Sequence, residues 1–194
     1  MRGFLLAVLV VAAGCPPKRA ERPRIPLPEE ALPAVLAPLT WTTTGADLAK
    51  RFPGKETATT RYTGIDGKRM IAEVVLDAPW PILGPAIVTI TRAPDAPASQ
   101  LRVEGNGGVR APVPHNPDLV RRFEALRAEL EKQYGPPHAV ERSGSTAAHG
   151  LPRDEREITV SWSRDGFVVF ASLERTELDG WVVSLAAVRS GAPL

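Results

Sequence analysis

The chain has 194 residues, with 24 Lys and Arg against 22 Asp and Glu and a formal charge of +2. It therefore lacks the basic excess on which nucleic-acid binding draws. A single cysteine, Cys15, excludes an intramolecular disulfide.

Arg2 gives a positive start, and residues 4–13 (FLLAVLVVAA) form an uncharged apolar run that ends in Gly14-Cys15. This run is too short to cross about 30 Å of hydrocarbon, which takes roughly 20 helical residues. It has the length of a signal-peptide core. Ala12, Ala13 and Gly14 are the small residues a peptidase reads as extended backbone, and they stand immediately before Cys15. The segment resembles the lipobox of bacterial lipoproteins, with Ala12 where that family usually has Leu. The resemblance implies a diacylglycerol thioether on Cys15, cleavage of residues 1–14, and acylation of the new amine. The implied anchor is the lipid bilayer, and the implied address is the bacterial cell envelope. Sorting rules at Pro16 differ between bacteria, so inner and outer membrane both stay open. Two or more acyl chains hold far more firmly than one, at about 0.8 kcal/mol per buried CH₂.

Residues 15–39 are expected to be the lipidated cysteine and a tether. Prolines at 16, 17, 23, 26, 28, 33 and 38 oppose helix and favour extended backbone. At about 3.1 Å per residue the tether would reach roughly 70 Å. Lys18, Arg19, Arg22 and Arg24 are read as solvated linker charge, with attraction to anionic head groups as the alternative. Residues 40–194 are expected to form one globular domain, with candidate halves 40–110 and 111–194.

Within that domain, Thr44 and Asp47 suggest a capping box opening a helix over residues 45–52, whose apolar side is Leu48, Ala49 and Phe52. Asp66-Gly67 precedes a strand over 69–76. Strands are also expected at 87–91 and 101–104. Between the first two lies Pro79-Trp80-Pro81-Ile82-Leu83-Gly84-Pro85, an unusually apolar connection. Two roles fit it. Trp80, Ile82 and Leu83 would form an exposed partner-binding or membrane-touching knob, or the loop folds back and caps the core.

The clearest helix is residues 117–134. Asn116 suits an N-cap and Pro117 suits the first helical position. Leu119, Phe123, Leu126, Leu130 and Tyr134 make one apolar stripe. Gly135-Pro136-Pro137 ends it. Residues 157–163 then alternate, with Ile158, Val160 and Trp162 on one face and Thr159 and Ser161 on the other. Asp165-Gly166 and Asp179-Gly180 mark tight turns into strands 167–173 and 181–188.

The fold class is therefore α+β. Two helix-plus-antiparallel-strand units are expected in one compact domain, and the order predicts a tandem repeat. The helix ends support it: Leu48, Lys50 and Phe52 match Leu130, Lys132 and Tyr134, and Gly and Pro follow each. This organisation resembles small exported α+β proteins such as β-lactamase inhibitor protein and the helix–sheet lipoproteins of outer-membrane assembly. That resemblance implies protein binding and no catalysis.

Catalytic signals are sparse. His115, His138 and His149 lie in Pro/Gly-rich stretches without a second ligand at metal spacing. Ser143, Ser145 and Thr146 have no nucleophile elbow around them. Gly105-Asn106-Gly107-Gly108 lacks dinucleotide-loop spacing and reads as a turn. No metal, cofactor or nucleic acid is expected. The expected role is non-enzymatic binding or scaffolding with an envelope protein partner. The alternatives are a hydrolase whose site assembles across loops, and an inhibitor of a secreted enzyme.

Overall fold

A computed structural model describes residues 31–64, 66–105, 117–144, 156–175 and 181–191. Cys15, Asn116, His115, His149, Ser145, Thr146 and the Asp179-Gly180 turn lie outside the described residues.

Helix α1 covers Gly45–Arg51 and helix α2 Pro117–Tyr134. The strands are β1 Thr57–Thr63, β2 Arg69–Trp80, β3 Gly84–Arg92, β4 Ala98–Gly105, β5 Ala139–Gly144, β6 Arg156–Arg164, β7 Phe167–Arg175 and β8 Trp181–Arg189. All eight join one sheet in the order β1-β2-β3-β4-β8-β7-β6-β5, and every pairing is antiparallel. The molecule is mostly sheet, with two helices: a compact α+β fold.

Local chemistry explains the helices. The Thr44 hydroxyl accepts from the Asp47 N–H at 3.3 Å, and Asp47 Oδ2 accepts the Thr44 N–H at 3.0 Å. This closes the capping box and satisfies two donors that a helix start leaves open. In α2, Leu119, Phe123, Leu126 and Leu130 are buried along one side. They join alternate residues of the strands, including Val88, Ile90, Leu101, Val103, Val169 and Val183, in one core. Both helices therefore dock on the same face of the sheet.

The alternation read for β6 is present. Val160 and Trp162 are buried, while Thr159 and Ser161 stay half-exposed. Trp162 Nε1 donates to the Gly135 carbonyl at 3.0 Å, which ties the sheet to the end of α2.

Two strands exceed the expectation. β1 and β5 are the two outer strands of the sheet. Every residue of β1 (TATTRYT) is exposed, so the apolar alternation that marks the inner strands is missing there.

The boundary of the folded body also differs from the expected residue 40. Leu36 and Leu39 belong to the core, and Leu32 and Val35 pack against it. Ala34 N–H donates to Gln133 Oε1 at 2.9 Å, and the Tyr134 hydroxyl donates to the Ala31 carbonyl at 3.0 Å. Prolines 33 and 38 suggested tether, but the apolar residues between them bury a short 3-10 turn at Ala34–Leu36.

Candidate functional site

The apolar connection between β2 and β3 is the first place to look. Trp80 pairs with Gly84 across it, so Pro81, Ile82 and Leu83 form the tip. Trp80 is 4% exposed and Leu83 fully buried. Trp80 Nε1 donates to the Val35 carbonyl at 2.8 Å, and its ring lies 6.1 Å from that of Phe52. Ile82 is partly buried against the same core. The exposed knob of Trp80, Ile82 and Leu83 is thus corrected: the loop folds back and caps the core.

The prolines make this burial affordable. Pro79, Pro81 and Pro85 have no N–H to satisfy. Leu83 N–H reaches the Pro81 carbonyl at 2.7 Å, and Arg122 Nη1 donates to the Ile82 carbonyl at 3.2 Å. The tip is held in a strained shape, because Ile82 has φ 67° and β-branched residues avoid that region. Shallow clefts flank the Trp80 side chain. One, of about 720 Å³, is bordered by Lys55, Asp77, Pro79 and Pro85; the other, of about 540 Å³, by Asp118, Arg121 and Arg122.

The second place is the sheet face opposite the helices. Register fixes its members. One row runs Ala58, Val74, Thr89, Arg102, Ala186, Phe170, Ser161, Ala139 across all eight strands. The next runs Ile87, Glu104, Ser184, Ser172, Thr159, Glu141. Sheet faces left to water are normally polar. This one carries Val74, Ile87, Val168, Phe170, Val182, Ala186 and Val188; Val182 and Ala186 are buried, as are Met70, Thr91, Ser172 and Ser184 on the same side, so the accessible apolar area lies with the others.

Its central charges are partnered with one another. Arg102 Nε donates to Glu104 Oε1 at 2.6 Å, and Arg102 Nη2 to Glu174 Oε1 at 2.7 Å. The Ser184 hydroxyl donates to the same Glu174 oxygen at 2.7 Å. Thr159 and Ser172 hydroxyls are 3.1 Å apart. The network spans β4, β8 and β7 and fixes three charged side chains that would otherwise sweep the surface. Exposed apolar area sits toward its β1–β3 side, where Ile87 is 40% and Tyr62 41% exposed. No sequence signal marked this face, because its residues come from strands far apart in the chain.

The histidines and acidic side chains of the described residues come next. The described residues hold no group of three or more His, Cys, Asp or Glu placed to bind a metal. His138 is exposed, and its backbone N–H bonds to the Ser161 carbonyl at 2.8 Å. Among them, no helix is long and apolar enough to cross a membrane. Comparison with protein-family models, curated proteins and solved structures finds no match to this chain.

Proposed function

We propose that this is a lipid-anchored envelope protein, held at the membrane through acylated Cys15, that acts by binding a protein partner on the open face of its sheet. The observation that carries the binding role is the makeup of that face. It is apolar in Val74, Ile87, Phe170 and Val188, and its central Arg102, Glu104 and Glu174 already satisfy one another. Such a face has its polar groups held in place before a partner arrives, which lowers the ordering cost of binding. The anchor rests on the leader: an apolar run of signal-peptide length, small residues, and the chain's single cysteine.

We also read the domain as a tandem repeat of one helix and four strands. Its support is the element order, α1 then β1 to β4 and α2 then β5 to β8, with a sheet order that mirrors about the β4–β8 pair.

Mutation of the face tests the binding role. Ile87→Asp with Thr89→Asp should abolish recovery of the partner captured by crosslinked wild-type protein, while the melting temperature changes little. Undiminished recovery by the folded variant would reject the open face as the binding surface.

A further inference from the structure

Arg189 ends β8 and is 5% exposed, yet its Nε and Nη1 make no hydrogen bond. Trp41 is also 5% exposed, and its indole Nε1 is equally without a partner. Among the described residues these are the buried side-chain donors left unsatisfied. Phe167 connects the two, by strand register to one and by ring contact to the other. Phe167 is the cross-strand partner of Arg189, and the Trp41 ring meets Phe167 edge-on at 5.8 Å. Cross-strand partners project from the same side of a sheet, so Arg189 and Phe167 both face the helical layer.

A guanidinium cannot escape its charge by losing a proton in the working pH range. Buried charges are therefore found paired. Burial pushes the Arg189 pKa down, and no neighbouring carboxylate offsets that effect. Asp165, in the turn that leads into Phe167, is exposed to solvent. Other half-buried arginines in this protein do have partners: Arg92 has Glu73, Arg102 has Glu104 and Glu174, and Arg122 has the Ile82 carbonyl. Arg189 departs from that pattern, and an orphaned indole N–H beside the same ring departs with it.

We propose that Arg189 and Trp41 form a binding site for a small oxyanion, a carboxylate or phosphate group, at the end of β7 and β8. Such a group is negative and rich in acceptors, so it supplies what both donors lack. The aromatic surfaces of Trp41 and Phe167 keep water from competing. This site lies on the helical side of the sheet and is independent of the open face.

The test is thermal melting of the full-length lipidated protein in detergent at constant pH and ionic strength. Chloride is exchanged stepwise for acetate in one series and for phosphate in another. The wild type should show a saturable rise in melting temperature with one or both anions. A response to acetate alone identifies a planar carboxylate site, and a response to phosphate alone a tetrahedral one. Arg189→Met should abolish the saturable rise, and Trp41→Phe should weaken the apparent affinity severalfold. General salt effects do not saturate and appear equally in all three proteins. Titration of the wild type followed at the Arg189 Nε–H resonance gives the same answer should Arg189→Met fail to fold. No saturable response in the wild type, an unmoved Nε–H resonance, or an equal response in Arg189→Met would overturn the site.

Discussion

Trp80 Nε1 donates to the carbonyl of Val35 at 2.8 Å, joining the tip of one hairpin to a segment 45 residues earlier in the chain. The bond makes the β2–β3 loop and residues 31–39 a single piece of structure. Of the two roles the sequence leaves open for this loop, exposed knob or cap, burial of Trp80 and Leu83 matches the cap, a lid over the core.

Double substitution of the lid measures its role. Trp80→Ser with Leu83→Ser removes two buried apolar side chains, each contributing about 1.5–3 kcal/mol. In a domain of this size each kcal/mol lowers the melting midpoint by roughly 2–4 °C. A fall of about ten degrees or more is expected in a thermal melt. A midpoint within a degree or two of wild type would show that neither side chain caps anything.

Gly105 offers a sharper probe of the same packing. A Cβ there would stand 2.7 Å from the Leu83 carbonyl oxygen and 2.8 Å from the Leu83 Cβ. Backbone cannot swing aside as a side-chain tip can, so Gly105→Ala should cost about 1–3 kcal/mol. Chemical denaturation reads it directly. A neutral outcome would mean that β4 and the lid are further apart than described.

The face assignment of β6 gives a paired comparison. Trp162 is 1% exposed and also bonds the Gly135 carbonyl, so Trp162→Ala should lose about 3–5 kcal/mol. Ser161→Ala, one residue away on the opposite face, should stay within about 0.5 kcal/mol. Equal losses at the two positions would contradict the alternation.

Glu73 supplies a pH dependence. Arg92 Nε lies 2.9 Å from Glu73 Oε2 and is the chief reason that the Glu73 carboxyl titrates below its ordinary value of 4.5. The Gly45 N–H helps to hold it there, against the opposing effect of burial. A carboxyl with a lowered folded-state pKa adds stability above its unfolded pKa and loses it as pH falls through the folded one. Glu73→Gln should therefore be less stable than wild type at pH 7, and the gap should close as the pH drops below about 4.5. Denaturation curves from pH 7 to pH 3 would show it. A gap independent of pH would mean that the ion pair does not form.

Much of the fold is legible in the sequence, for physical reasons. Helix α2 has an unbroken apolar stripe, Asn116-Pro117 before it and Gly-Pro-Pro after it, so its span of Pro117–Tyr134 follows from periodicity and end signals together. Strand β6 buries alternate residues and so carries the period-2 signal, whereas β8 is buried along nearly its whole length and is legible as an apolar run after the Asp179-Gly180 turn signal. β1 and β5 carry neither signal, because outer strands have no second neighbour and need little apolar surface. The lid stays undecided in the sequence because exposure of Trp80 and Leu83 depends on what packs over them, and Val35 and Phe52 are distant in sequence. The open face is harder still. Arg102, Glu174 and Ser184 sit on three strands, and only the β4-β8-β7 order brings them together.

Photo-crosslinking in intact cells tests the central claim most directly. A photoreactive amino acid placed at Ile87, on the open face, is compared with the same residue at Lys132, on the exposed side of α2. The binding role predicts a discrete protein adduct from position 87 and none from position 132. No adduct at position 87, or the same adduct from both positions, would contradict an account in which the open sheet face is where this protein works.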